Sequence, residues 1–410
     1  MINPSVMTTG ERIRYYRTKS GKTQAALAGF VGRSEDWLSK VERGVIGIDS
    51  LQMLVAIARE LGLDNVADLT GPVIQLEVAA STDHPSVPAI RRALNTPPSL
   101  LGLGLPGDPL TAQQLDERVI EAWGIYETET ERYGPVGDAL PGLLAEAYAT
   151  LRATTGEDEL TAARALVSLL HLHQVFLRRV NARRLSRLAA DRAMQIADQT
   201  GDPAMIAASV WNVCGILTSS GEVGESLDLA RQTIAHVRPG PDATPEHISA
   251  YGALHLAGVI AAVRHSRQTA AWDLLAQAAA VAERLGRDGN LLHTSFGPTN
   301  VAMHGVHLAS EEGDAHEALR LADDVEVPEP GGVLPLERTT RYLVEVMNAH
   351  RLTGDDYGTL HMLREIMAAS PEEIRYSPYA REAVQGLLKR ARPQMRREVH
   401  KIAEHVGVLA

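Results

Sequence analysis

From about Leu115 onward, leucine and alanine recur at helical spacing and are interrupted by Gly, Pro or Asp every 15–25 residues, a pattern that predicts a chain of helical hairpins. The segments Leu227-Asp-Leu-Ala-Arg, Trp272-Asp-Leu-Leu-Ala, Ala318-Leu-Arg-Leu-Ala and Leu360-His-Met-Leu-Arg each follow a short polar turn, at intervals of roughly 40 to 47 residues. A repeat in this range implies a solenoid of helix pairs. The turns Ser219-Ser-Gly-Glu, Glu312-Gly-Asp and Thr353-Gly-Asp-Asp place glycine where a helix ends in a left-handed residue. Gly215, Gly258 and Gly305 within the first helices would let neighbours approach closely. The period exceeds the 34 residues of the tetratricopeptide repeat, so the body reads as tetratricopeptide-like, with an irregular all-helical bundle as the alternative.

The first 70 residues pattern differently, as four short helices. The first runs from Thr9 to Lys19, with Ile13 and Tyr16 at apolar spacing, and ends before Gly21. Thr23 stands where an N-cap belongs for a second helix through Ala26, Leu27 and Val31. Gly32 makes a turn, Ser34 caps a third helix whose Leu38 and Val41 face inward, and Gly44 stops it. Asp49 or Ser50 caps the fourth, with Leu51, Leu54, Val55, Ala58 and Leu61 on one side. Between head and body, seven of the 21 prolines fall in Pro72–Pro109, so 72–114 reads as a linker. Within it Ile74, Leu76 and Val78 alternate like a strand, and Val87 to Leu94 reads as a helical turn or two. The fold class is therefore all-α: a helix-turn-helix head over 1–71, a proline-rich linker over 72–114 and a helical-repeat body over 115–410.

Composition narrows the function. The 410 residues are 45% hydrophobic and 22% charged, which excludes wholesale disorder. One cysteine, Cys214, excludes an intrachain disulfide or a multi-cysteine zinc site and fits a reduced, cytoplasmic compartment. No apolar run reads as a bilayer span and the N-terminal stretch does not read as a signal peptide, so no membrane partner is expected. The net charge is −11, yet residues 1–71 hold nine Lys or Arg against eight Asp or Glu. Nucleic-acid contact is thus expected at the head alone. The acidic body leaves room for a basic or neutral ligand.

In the head, two short helices joined by a glycine turn and buttressed by two others can lay the second of the pair in a major groove. The run Arg17, Gly21, Thr23-Gln24, Leu27-Ala28, Val31-Gly32, Ser34, Leu38-Ser39, Val41-Glu42-Arg43-Gly44 and Leu54 resembles the phage-repressor-type helix-turn-helix family, the Cro and lambda-repressor-like regulators, usually of five helices. That resemblance covers about 55 of 410 residues. It implies that Gln24 touches phosphate or a flanking base. It implies too that Glu35, Asp36 and Lys40 read bases along a recognition helix opened by Ser34, with Trp37 and Ser39 beside the groove. In the same family Arg17 and Glu42 match a buried ion pair tying the first helix to the third. Arg12, Arg14, Lys22, Lys40 and Arg43 remain for phosphates. Glu35 and Asp36 depart from the glutamine or arginine of many relatives; carboxylates accept from cytosine N4 but repel phosphate. Affinity of one head should be low, and dimerisation on a palindromic double-stranded operator would offset it.

A helix-turn-helix head before a tetratricopeptide-like body resembles, in architecture, the peptide-responsive regulators of Gram-positive bacteria, whose concave face binds a signalling peptide and whose body dimerises. Asparagines on the inner helices of that family hold the peptide backbone. Here Asn212, Asn300 and Asn348 fall in first helices at intervals of 88 and 48 residues, near multiples of the repeat, and His255 falls near the missing step. His171, Ser168, His304 and Arg341 are expected to join that stripe, and Pro298 to break a helix just before Asn300 and expose backbone there.

Other patterns carry less. Gly102-Leu-Gly-Leu-Pro-Gly has the letters of a dinucleotide fingerprint but no strand-turn-helix around it. His171 and His173 point to different sides of one helix. His304, His307 and Glu311 share a face at ligand-like spacing but read as solvated, so no metal or cofactor is expected. Cys214 reads as a buried, inert thiol, and Trp123, Trp211 and Trp272 as core anchors. No catalytic constellation is present, and an enzyme is not expected. The expected function is a homodimeric transcriptional regulator sensing a peptide or small molecule; the alternative is a protein-interaction adaptor whose head does not bind DNA.

Overall fold

The computed structural model describes residues 7–48, 51–63, 66–70, 84–101, 109–129, 131–180, 182–327, 332–371, 374 and 377–408. Every regular element among them is helical. The head comprises α1 (Thr9–Lys19), α2 (Gln24–Phe30), α3 (Glu35–Glu42), α4 (Leu51–Glu60) and α5 (Ala67–Thr70). Its starts follow from side-chain caps: Thr8 and Glu11 form a capping box on α1, Thr23 Oγ1 accepts from Ala26 N at 3.1 Å, and Ser34 Oγ accepts from Trp37 N at 3.1 Å. Gly21, Gly32 and Gly44 end the first three helices in the left-handed region. Ile13, Leu27, Ala28, Leu38, Val41, Ile57 and Leu69 form one buried core. Gly10 is fixed by packing: a Cβ there would lie 2.1 Å from Val41 O, so α1 crosses α3 on bare backbone. Val55, grouped with the core by spacing, is 41% exposed. The expected caps Asp49 and Ser50, the strand-like Ile74, Leu76 and Val78, and the glycine run from Gly102 to Gly107 lie outside the described residues.

The segment read as linker carries α6 (Val87–Asn95), and this helix is not a free connection. Its Val87, Ile90 and Leu94 are fully buried in one core with the first body helices, because all three fall on one face at helical spacing. The body continues with α7 (Ala112–Thr128), α8 (Tyr133–Ala153), α9 (Glu157–Arg179), α10 (Arg183–Thr200), α11 (Pro203–Ser219), α12 (Val223–His236), α13 (Pro245–Arg264), α14 (Gln268–Leu285), α15 (Pro298–Glu312), α16 (Ala315–Asp323), α17 (Leu336–Thr353), α18 (Asp356–Ala369), α19 (Pro378–Arg390) and α20 (Pro393–Val406). Helices α9, α11, α13, α15, α17 and α19 touch one another in succession, whereas α10, α12, α14, α16 and α18 pack outside them. This is the expected solenoid of hairpins, with Gly221, Gly313 and Gly354 at the left-handed turns. The superhelix is curled tightly enough that α7 meets α17 across its inside.

Helix α9 is long and apolar enough to cross a membrane, and 78% of its apolar stretch is buried inside the protein. Its central place in the solenoid buries most side chains from Ala162 to Leu177, His171, His173 and Gln174 among them. Trp123 is buried at 4% exposure, but Trp272 is 38% exposed and donates Nε1–H to Glu312 at 3.1 Å, so it clips the solenoid surface instead of anchoring the core. Pro298 occupies the first turn of α15 and starts that helix, since a missing N–H costs nothing there.

Candidate nucleic-acid interface and the polar interior of the solenoid

On the outer side of the head, α1, α2 and α3 surround an open hollow of about 510 Å³ lined by Arg14, Arg17, Thr23, Gln24, Glu35, Ser39, Glu42 and Arg43. Its floor is rigid. Arg17 Nε and an Nη of the same guanidinium reach the two Glu42 oxygens at 2.5 and 2.9 Å, with Glu42 1% exposed, and the other Nη donates to Lys22 O at 2.8 Å. The hydrogen bonds that Arg17 donates to Glu42 raise its pKa above the ordinary value. Gln24 Nε2 donates to Glu42 Oε2 at 2.7 Å, which locks the first residue of α2 to the last of α3. Arg14, Arg43 and Glu35 stand exposed around this floor. The hollow thus offers two exposed cations, an amide and a hydroxyl on a preorganised base, a combination suited to phosphate and base edges.

The opposite flank of α3 faces the body. Arg33 donates to Arg264 O at the end of α13, Ser34 Oγ lies 3.2 Å from Ser266 Oγ, and an Arg351 nitrogen reaches Gly44 O at 3.3 Å. Arg33 stacks over Trp37 at 5.4 Å, and both line a small cavity of about 30 Å³ shared with Thr218, Gly221, Arg264 and Glu311. Lys40 is 16% exposed, pairs with Asp36 at 3.0 Å, and runs beside Gly313. Of the residues expected at DNA, then, Arg14, Gln24, Glu35, Ser39 and Arg43 share the open hollow, whereas Ser34, Trp37 and Lys40 lie in the seam. Lys22 sits elsewhere, 3.3 Å from Glu60 and 4.8 Å over the Phe30 ring. Arg12, expected to be free for phosphate, is 6% exposed and donates to Met7 O at 2.9 Å; its place on the inner side of α1 buries it. Arg33 had no sequence signal, since its role depends on α13 and the chain beyond it being near.

Inside the solenoid, the expected ligand residues divide. Asn212 Nδ2 donates to Ala208 O at 3.1 Å and stays on its own helix. His255 bonds Tyr251 O at 2.9 Å and also engages Gln277 on the outer helix α14. Asn348 Oδ1 accepts twice from Arg351, at 3.0 and 2.8 Å, next to the seam. His171 lies in a separate group on α9: its Nε2 is 3.0 Å from Ser209 Oγ, and burial lowers its pKa to about 3. Near it, Ser168 accepts from Trp123 Nε1 at 3.0 Å, and His293 stacks on Trp123 at 3.6 Å while its Nδ1 meets Glu127 at 2.8 Å. His293 belongs to a loop in which Leu292, His293 and Ser295 all have positive φ, strain that its contacts with α7 offset.

Asn300, His304 and Arg341 do come together, with Arg338 and Glu345, which no pattern had singled out; His307 and Glu311, expected to be solvated, are drawn into the same network, His307 being 7% exposed, because the next hairpin packs over their face. Asn300 Oδ1 accepts from Arg338 Nε at 2.5 Å, His304 Nδ1 contacts Asn300 O at 2.7 Å, and Arg341 Nε lies 3.5 Å from Glu345. His307 Nδ1 is 3.1 Å from Glu345 and its Nε2 3.6 Å from Glu311, which takes Arg264 at 3.2 Å. Across the interior, Glu337 accepts from Tyr126 at 3.3 Å, pairs with Arg179, and has Arg178 at 4.0 Å. Arg178 and Arg179 end an apolar helix, where a sequence reads them as partners of the helix dipole; only the curl of the superhelix brings them opposite α17. Here the interior is positive, contrary to the basic or neutral ligand expected of an acidic body, because Glu157, Asp158, Glu159 and similar acids are exposed elsewhere on the surface. No group of three or more metal-ligating side chains occurs among the described residues, and Cys214 is buried, its thiol pushed up to about 11 by burial.

No curated protein matches the chain. Among solved structures, Bacillus thuringiensis PlcR in complex with the peptide PapR7 and DNA aligns with 88% of this chain and 98% of that one, at 13% identity and a TM-score of 0.30. Residues 9–69 match the family described as a helix-turn-helix domain, and this segment of the chain is one.

Proposed function

We propose that the protein is a cytoplasmic, non-enzymatic transcriptional regulator that binds a palindromic DNA site as a homodimer and senses a peptide or small molecule. Residues 1–71 serve as the DNA-binding head, 72–114 as the connection, which lends α6 to the body, and 115–410 as the sensing and dimerising body. The observation that carries this reading is the open hollow where Arg14, Gln24, Glu35, Ser39 and Arg43 converge on the Arg17–Glu42 floor. In this reading Gln24 and Ser39 approach base edges, Glu35 accepts from cytosine N4, and Arg14 and Arg43 hold phosphates. The seam along Ser34, Trp37 and Lys40 couples body to head, since moving the body changes how α3 is presented.

The test is a salt titration of promoter-duplex affinity with the full chain. Arg14→Ala and Arg43→Ala should each reduce the slope of log K against log salt by about 1, and Gln24→Ala should weaken binding at every salt. Binding that is absent, or unmoved by all three substitutions, would favour an adaptor whose head contacts only protein.

A further inference from the structure

Two carboxylates inside the solenoid, Glu337 and Glu345, are surrounded by five guanidiniums, those of Arg132, Arg178, Arg179, Arg338 and Arg341. Three of these five define an incompletely neutralised wall. Arg178 has its nearest Glu337 oxygen only at 4.0 Å and keeps 36% of its side-chain exposure; Arg341 reaches Glu345 at 3.5 Å and keeps 49%. Arg338 spends its Nε on a neutral amide, Asn300. Arg178 on α9 lies more than 150 residues of chain from Arg338 and Arg341 on α17, and the curl of the superhelix brings it within electrostatic reach of Arg341. Although 36% of its side chain stays open, desolvation by the surrounding protein lowers Arg178, and Arg179 and Arg341 lower it further against the pull of Glu337. Burial likewise takes Arg338 down to about 10, and Arg341 adds to the effect. Like charges held together where protein partly displaces solvent are costly, and an anion placed among them removes that cost.

We propose that Arg178, Arg338 and Arg341 form the binding site for an anionic group, a carboxylate or phosphate, on the molecule the body senses. This rests on the sensor reading above and names the chemistry of its ligand. Planar guanidiniums grip both groups through paired hydrogen bonds, which lysine could not do. The site also has a route outward: Arg341 and Arg338 border Glu345, which meets His307, then Glu311, then Arg264, whose carbonyl takes Arg33 of the head. An anion that draws Arg341 from Glu345 disturbs this chain at its inner end, so occupancy bears on the seam that presents α3.

The experiment is calorimetric titration of the full chain, without DNA, with inorganic pyrophosphate and with citrate, alongside melting with and without each. Saturable binding of either anion is expected, weakened at least tenfold in Arg178→Gln and in Arg341→Gln and unchanged in Arg397→Gln, an off-site control. The two substitutions should also raise the melting temperature of the unliganded protein, or leave it unchanged, while abolishing the rise given by the anion. Pyrophosphate alone would assign a phosphate ligand and citrate alone a carboxylate. Binding of neither, or binding untouched by Arg178→Gln and Arg341→Gln, overturns the proposal. Because no DNA is present, that failure is distinct from failure of the regulator reading, which the promoter titration decides.

Discussion

Removing Glu42 is the sharpest perturbation of the head. Its carboxylate, 1% exposed, takes two hydrogen bonds from Arg17 and one from Gln24. In Glu42→Ala the Arg17 guanidinium, itself 13% exposed, retains only Lys22 O among these partners. Breaking a buried pair from one side costs about 3–5 kcal/mol. A helix-turn-helix domain spanning 9–69 has a total stability of about 3–9 kcal/mol at about 0.05–0.15 kcal/mol per residue. The substitution should therefore remove about a third or more of the head's stability while the body, which shares none of these contacts, keeps its own. Hydrogen exchange reads this by region: amides of α1–α3 should lose about 3–5 kcal/mol of opening free energy, and those of α9–α13 should not move. Replacing both partners by leucine should cost less than Glu42→Ala, because no charge is left unpaired. An opening free energy in α1–α3 reduced by under about 1 kcal/mol would refute the reasoning.

Acid should destabilise the body early. His171 and His304 are held near a pKa of about 3 and His173 near about 4, chiefly by burial, so the folded state keeps them neutral while the unfolded chain protonates them near 6.5. Stability is full above that unfolded value and falls as pH drops through it, by up to about 1.4 kcal/mol per unit for each histidine; urea midpoints between pH 7 and 5 should decline, and a flat profile would contradict the burial. Gly252→Ala places a Cβ 2.0 Å from Phe296 Cζ, so the ring must leave its pocket; a loss of about 1–3 kcal/mol is expected, and an unchanged melting temperature would speak against that contact. Cys214 should resist a thiol reagent in the native protein at pH 8 and react on unfolding; prompt native labelling would show that the thiol is not enclosed.

The parts of this protein legible in its sequence are those set by local chemistry. The caps Thr23 and Ser34, the glycine stops, and the hairpin turns at Gly221, Gly313 and Gly354 depend on neighbours a few residues away, and they fall where spacing puts them. The Arg17–Glu42 pair was reachable only through its resemblance to a family. Contacts made by the curl of the superhelix or by the head meeting the body were not legible: Arg178 opposite Arg341, His293 on Trp123, and Arg33 on Arg264 join residues 163 to 231 positions apart, and no period marks them. Lys40 shows the same limit within the head, since spacing places it on α3 but nothing local marks the body that covers it.

The most direct measurement of the central claim is a footprint of the full chain on the intergenic DNA flanking its gene. Two protected patches about 34 Å apart, centred on a two-fold site, are expected, and Gln24→Ala with Arg43→Ala should erase them while leaving the fold intact. A chain that protects no sequence over random duplex at any salt would contradict the claim that the hollow between α1, α2 and α3 reads DNA.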